Sequence, residues 1–308
     1  MKTPVTCIIF KRPETTEKVF EVIRQVKPSK LFVIADGPRA DREGEAEKCE
    51  ATRAIIERVD WNCEVIKNYS DINLGCAKRV SSGLDWVFNQ TEETIILEDD
   101  CIPHLSFFRF CEELLEKYRH DTRISTISAQ NVQFGYKRTN HSYYFSRYSH
   151  CWGWASWRRA WQHYDLNIKL WKEVKAQNLL NDILIDPKAV NYWRRIFQSV
   201  YENPTGITWD YQWTFACWMQ GSLSIIPNVN LVSNVGVGAD ATHFNSKQKF
   251  SFINLPTQAM EFPLKHPPFI IRNAQADNFT QKTVYKATAL DIFKERLKKF
   301  INESKLRR

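Results

Sequence analysis

Three consecutive carboxylates, Glu98-Asp99-Asp100, directly follow the apolar run Thr94-Ile95-Ile96-Leu97. Two like charges ~4 Å apart repel by about 1 kcal/mol in water and about 4 kcal/mol at an effective dielectric near 20. A divalent cation removes that cost, and oxygen-only ligation suits Mg²⁺ or Mn²⁺ held jointly by protein and phosphate. In an extended segment Glu98 and Asp100 point to one side and Asp99 to the other, so at most two of the three face one ion. A solvated acidic turn is the other reading of the same letters. Asn73-Leu74-Gly75 precedes Lys78 and Arg79 at the start of a helical pattern. There Gly75 lets backbone approach a phosphate and Arg79 can grip it with paired hydrogen bonds. The run from His150 to Trp161 holds four tryptophans. Trp152 and Trp154 flank Gly153 in what reads as a loop, where an indole face stacks on a sugar ring. Trp157 and Trp161, four apart, read as the core side of a helix.

The elements that must position these residues are legible from periodicity. Residues 4 to 10 form a β-branched run stopped by Lys11-Arg12-Pro13, and 31 to 35 (LFVIA) run into Asp36-Gly37-Pro38. Between them Val19, Val22, Ile23 and Val26 follow i, i+3, i+4, i+7, one face of an amphipathic helix. Strand, helix, strand is the rhythm of a parallel sheet. Helices are predicted over 45–59 and 77–88, around Phe107 to Tyr118, and from Thr288 onward; strands are predicted at 63–66, 94–97, 124–128 and 230–232. Nine of the eleven tryptophans lie between Trp152 and Trp218, where this alternation weakens. After Thr242, Pro256, Pro263, Pro267 and Pro268 read as loop.

The chain has 308 residues with 43% hydrophobic and 25% charged side chains, a globular composition with no low-complexity character. The eight cysteines include no C-x-x-C pair and no zinc spacing, so they read as reduced core residues. The formal net charge is +8, but residues 294 to 308 hold seven cations and two anions, leaving +3 on everything before them. A nearly balanced body with a basic tail excludes a nucleic-acid-binding surface spread over the globule. The tail, over 290–308, suits peripheral contact with an anionic membrane. The apolar run at 5 to 10 is too short for a signal peptide and no stretch approaches a membrane span, which leads to a cytoplasmic expectation.

The segment LEDDCIPHLSFFRF, residues 97–110, resembles the E-D-D strand and following aromatic helix of the animal N-acetylglucosaminyltransferase I group. It is also similar to bacterial family-two-like, or hemolysin-like, glycosyltransferases, and the likeness covers roughly residues 4 to 240. It implies the GT-A fold: a Rossmann-like α/β mixed sheet flanked by helices, with a C-terminal lid or extension and a terminal basic helix. In those terms residues 1–240 are the catalytic domain, split into a nucleotide-binding half (1–130) and an acceptor half (131–240). Residues 241–308 are then a lid segment and basic amphipathic helix.

The resemblance also implies an activity: transfer of a hexosyl or N-acetylhexosaminyl group from a nucleotide-diphosphate donor, a UDP-sugar, to a hydroxyl of a glycan or lipid-linked saccharide, with inversion. On its terms Asp100 ligates Mn²⁺ or Mg²⁺, and Glu98 or Asp99 contacts the ribose or a metal-bound water. Phe10, Lys11 and Arg12 resemble the loop sheltering base and ribose, and Asp36 matches an acidic residue turned toward the base, or forms a turn. Asn73, Gly75 and Arg79 resemble the diphosphate segment. Thr208-Trp209-Asp210 resembles the W-D segment in which Asp210 is the catalytic base, and the same aspartate also reads as a helix cap. His243 is implied as a further metal ligand, with Gly236 and Gly238 making a closing lid. Trp152, Gly153, Trp154 and Trp209 are expected to line the sugar and acceptor pocket. Two other classes remain open. A sugar-phosphate nucleotidyltransferase would carry a glycine-rich loop that Phe10 to Pro13 lacks, and a carbohydrate-binding protein would keep the fold without turnover.

Overall fold

The computed structural model describes residues 1–206, 208–236 and 253–285. Val237, Gly238, His243 and the predicted C-terminal helix lie outside the described residues. The chain opens with four strands, β1 (Val5–Ile9), β2 (Lys30–Ala35), β3 (Glu64–Tyr69) and β4 (Glu93–Glu98), joined by helices α1 (Pro13–Val26), α2 (Glu45–Ile56) and α3 (Cys76–Phe88). All three pairings among these strands are parallel, in the order β3-β2-β1-β4. The run then continues through β5 (Cys101–Pro103), α4 (Ser106–Lys117), β6 (Ile124–Ser128), β7 (Tyr143–Ser146) and β8 (Trp154–Trp157). Short helices α5 (Arg158–Trp161), α6 (Trp171–Ala176) and α7 (Leu180–Ile183) lead to α8 (Pro187–Glu202) and α9 (Asp210–Met219). Strands β9 (Leu223–Pro227) and β10 (Val232–Asn234) and helix α10 (Ala274–Thr283) complete the described elements.

One mixed sheet of eight strands, β3-β2-β1-β4-β8-β6-β9-β7, unites both halves, with β8 and β7 running against the others. Strands β1, β8 and β6 are buried on every residue because helices cover both faces, and the Thr6 and Thr94 hydroxyls inside bond to each other at 2.9 Å. Cys7, Leu31, Val33, Ile95 and Leu97 pack with α1 and α4 on one side. Ile8, Phe32, Ile34 and Ile96 pack with α3 and the tryptophans of β8, α5 and α9 on the other. A third cluster under α6 to α9 is built on Trp171, Trp193, Phe197, Phe215 and Trp218. The architecture is the Rossmann-like α/β class expected. The loop expected after Thr242 contains α10, capped by the Asn273 side chain accepting from the Ala276 N–H at 2.9 Å.

Candidate functional site

The strand order reverses between β1 and β4, since β1 leads outward to β2 whereas α3 carries the chain back across β1 to β4. In open α/β sheets the crevice at such a reversal, outside the carboxyl ends of the strands, is where ligands sit. Phe10 to Arg12 leave β1 there, and Glu98 to Asp100 leave β4 beside them. The acidic triplet is not extended as expected: Glu98 ends the strand, and Asp99 and Asp100 form a turn into β5. The chain turns because β5 quits the main sheet to pair with β10, placing Asn234 opposite Cys101. Alternation therefore stops at Glu98, and one guanidinium reaches both following carboxylates. Arg12 Nη1 donates to Asp100 Oδ2 at 2.8 Å while Nη2 pairs with Asp99 Oδ1. The Phe10 N–H adds a bond to Asp99 Oδ2 at 3.1 Å.

Segment 234–236 closes the other side of Asp100. The Val235 N–H donates to the Asp100 carbonyl at 2.9 Å, and the Asn234 amide lies 3.4 Å from Asp100 Oδ1. Gly236 rests so close that a Cβ there would overlap the Asp100 carboxylate and press on Arg12. Sequence alone suggests Gly236 only as part of a lid; its proximity to Asp100 follows from the β5–β10 pairing, which no local pattern announces.

Burial first, and then the charges of Asp100 and Asp99, push Glu98 up to about 8. Burial likewise pushes Asp99 up to about 6 against the pull of Arg12. Asp210 is the first residue of α9, and its charge adds to the push on Glu98; burial first, and then charges that include Glu98 and Asp210, raises the thiols of Cys76 and Cys151. Burial first, with a contribution from the charge of Asp210, pushes up Tyr164, Tyr211 and Tyr285, and the Tyr164 hydroxyl donates to the carbonyl of neighbouring Trp209 at 3.2 Å. Tyr164 and Tyr285 escaped the sequence reading because nothing local links them to residue 210.

Several expected donor residues are instead spent on the protein. The Asp36 carboxylate accepts from the Gly37, Leu74 and Gly75 N–H groups at 2.9–3.0 Å and from the Asn73 amide at 3.1 Å. It fastens the loop ahead of α3, with Gly75 at φ 78° opening that helix. Arg79 turns inward, donating to the Ala35 carbonyl at 3.0 Å and to Asn68, and is 5% exposed. Lys11 pairs with Glu45 at 2.8 Å. Trp154 lies not in a loop but in the middle of the sheet, with 0% exposure and its ring 5.5 Å from Trp209. Neither indole can stack on a sugar. Trp157 closes β8 rather than sharing a helix with Trp161. Trp152 alone of the expected pocket tryptophans is partly accessible, beside Gly153 at φ 62°. Arg272 sits at the far edge of the sheet, bridged to β7, and pairs with Asp277 at 3.0 Å.

A cleft of about 560 Å³ lies at the opposite end of β4, among Lys2, Glu93, Glu112 and Arg119. It shares no side chain with the acidic crevice, so the site is marked by its chemistry rather than by a deep cavity. No protein-family model matches the chain, and no curated protein matches it in sequence. Among solved structures it is similar to mouse xyloside xylosyltransferase 1, at 11% identity over 73% of this chain and 84% of that one, with a TM-score of 0.36. It is also similar to a UDP-glucose pyrophosphorylase complexed with UDP-glucose, at 13% identity and a TM-score of 0.27. That match covers 47% of this chain and 62% of the other, less than two thirds of the pyrophosphorylase's length. A 4-diphosphocytidyl-2C-methyl-D-erythritol synthase from Anaerococcus prevotii matches at 12% identity over 57% and 77% of the two chains, with a TM-score of 0.32. Likenesses at this level assign no family, and the functional reading rests on the site.

Proposed function

We propose that this chain transfers a sugar from a nucleotide-diphosphate donor, a UDP-sugar, to a hydroxyl acceptor with inversion and with the help of a divalent cation. The observation that carries the reading is the crowding of Glu98, Asp99 and Asp100 at the β1/β4 reversal, where Arg12 alone pairs with both Asp99 and Asp100 and the charge of Asp210 reaches Glu98. That excess of negative charge, partly removed from water, calls for a cation. An oxygen-only set fits Mn²⁺ or Mg²⁺. Among the described residues no group of three His, Cys, Asp or Glu side chains converges. Asp100 and Glu98 would therefore hold the ion jointly with the donor diphosphate and water, and His243 stays a proposed further ligand. When bound, the ion neutralises charge on the leaving diphosphate.

Asp210 takes the proton of the acceptor hydroxyl as that oxygen bonds to the anomeric carbon. The bond from that carbon to the diphosphate breaks on the opposite face, and its electron pair leaves with the nucleoside diphosphate. A thermal-shift panel of UDP, GDP, CDP, dTDP and CMP, each with Mn²⁺ or EDTA, tests the reading. UDP at ~100 times its dissociation constant stabilises by about 2.7 kcal/mol, roughly 5 °C for a chain of this size. We expect that shift only with Mn²⁺, its loss in Asp100→Ala, and its retention in Asp210→Asn together with loss of transfer. No shift from any nucleotide, or equal shifts in EDTA and in Asp100→Ala, removes the reading.

A further inference from the structure

Eight large hydrophobic side chains stand exposed among the described residues, and four of them gather at the β7 edge of the sheet. Phe134 is 37% exposed, Tyr136 62%, Phe269 50% and Ile271 68%. Their two segments are tied side by side. Phe134 and Tyr136 pack on Phe279 of α10 at 6.2 and 5.3 Å between ring centroids. His141 meets Phe269 at 6.1 Å, the Ser142 N–H donates to the Lys265 carbonyl at 2.9 Å, and Phe145 bridges to Arg272. Contiguous exposed apolar surface of this kind marks an interaction face.

Charge says what the face meets. Residues 131–142 carry two cations and no acid, residues 265–285 three cations and one acid, and residues 286–308 eight cations and three acids. These stretches hold +9 of a chain total of +8, so everything else nets −1. The whole positive excess is thus concentrated in the two segments that build the apolar face and in the sequence that continues from α10. The one acid of the 265–285 stretch, Asp277, is 2% exposed and neutralised by Arg147 and Arg272, whereas Lys137 and Lys265 are exposed. Arg138 lies over the rings of Tyr136 and Phe279 at 5.5 and 5.0 Å, with its stem on the apolar surface. Aromatic and aliphatic side chains ringed by cations match the interface of an anionic bilayer, where rings sit at headgroup depth and each cation near the surface adds about 1 kcal/mol. An aliphatic anchor such as Ile271 has no stacking use on a nucleic acid. We propose that this face, Phe134, Tyr136, Phe269 and Ile271 with Lys137 and Arg138, docks the protein on an anionic lipid surface.

The inner side of α10 is fastened to the body by Gln133 through Thr280 at 2.9 Å, and Tyr285, just past its end, packs on Trp193 and Tyr148 at 4.9 and 5.1 Å between ring centroids, so the outer side is left to dock. Flotation of the full chain with vesicles tests the docking without any donor. The vesicles are phosphatidylcholine alone, or phosphatidylcholine with about one third phosphatidylglycerol. We expect binding only to the anionic vesicles, weakened at least about tenfold in the triple variant Tyr136→Ser, Phe269→Ser, Ile271→Ser, whose sites are exposed. An unchanged thermal midpoint shows that the variant is folded, and the single charge reversal Lys137→Glu should weaken binding in its own right. Absence of binding to anionic vesicles, or equal binding by wild type and triple variant, overturns the proposal. Capture of a uridine oligonucleotide instead of vesicles, lost in the same variants, also overturns it.

Discussion

Arg12 holds two carboxylates that would otherwise repel each other in a half-buried crevice, and its own pKa is raised because Asp99 and Asp100 outweigh the effect of burial. Removing it with Arg12→Gln strands two charges, a loss of about 3–5 kcal/mol for a buried pair and about 6–10 °C in a chain of this size. If the crevice takes a cation, millimolar Mn²⁺ restores a good part of that loss in the variant; midpoints equal with and without Mn²⁺ would count against it. Gly236→Ala probes the same place sterically, because its new methyl overlaps the Asp100 carboxylate. Nucleotide affinity measured by calorimetry with Mn²⁺ present should fall at least about tenfold, 1.4 kcal/mol or more, while the midpoint moves little. Unchanged affinity would show that Asp100 does not serve the donor. The acids at 98–100 were legible in sequence because three adjacent charges beside an apolar strand demand an explanation. Asp36 and Arg79 misled because sequence displays a side chain's type but not whether its hydrogen bonds are already satisfied. Asp36 has four donors, one from its own turn and three from the loop ahead of α3, and Arg79 three acceptors on Ala35 and Asn68 of the neighbouring strands.

At the scale of elements, β1, β2 and β4 were legible because a strand covered on both faces is mostly apolar and its flanking helices keep a 3.6-residue stripe, whereas the half-exposed edge strand β3 showed only as the short run 63–66. β8 was not, since Gly153 beside two tryptophans reads equally as a sugar-binding loop or as a bend into a strand. Its two outcomes differ sharply in Trp154→Ala. A stacking residue would raise the KM for a sugar substrate at constant stability. A fully buried indole against Trp209 and Trp213 should cost about 3–5 kcal/mol on truncation. Denaturant unfolding of Trp154→Ala, with Trp152→Ala as the accessible comparison, separates them, and a midpoint loss below about 1 kcal/mol for Trp154→Ala would return it to the pocket. Helix α10 escaped for a different reason. The residues it buries are Ala276, Asp277, Thr280 and Gln281. A helix that docks through a polar face carries no hydrophobic period to read. Its partners, Ser146, Tyr148 and Trp193, lie about a hundred residues away and are met only through the folded sheet.

For the molecule as a whole, the docking of that second half onto the sheet is tested by two titratable groups with opposite linkage. Burial lowers the imidazole of His150, 6% exposed, to about 4. As pH falls the unfolded chain takes up that proton first, so stability present above about pH 6.5 is lost on the way to about pH 4. Burial raises the Asp277 carboxyl to about 6, against the pull of Ser146 and Arg272. The folded chain takes this proton first, so the contribution is full below about pH 3.8 and is lost as pH rises through about 6. Each shift is worth about 3 kcal/mol. Comparing variants with wild type cancels the remaining groups. From pH 7 to pH 4, His150→Gln should gain stability relative to wild type by about that amount, and Asp277→Asn should lose it. Urea unfolding at pH 4, 5, 6 and 7 reads both slopes. A C-terminal segment that left β7 would return Asp277 to water and flatten its slope while leaving that of His150 intact. Opposite slopes of similar size therefore require that both residues be enclosed at once, one before β8 and the other on α10, by the same folded body.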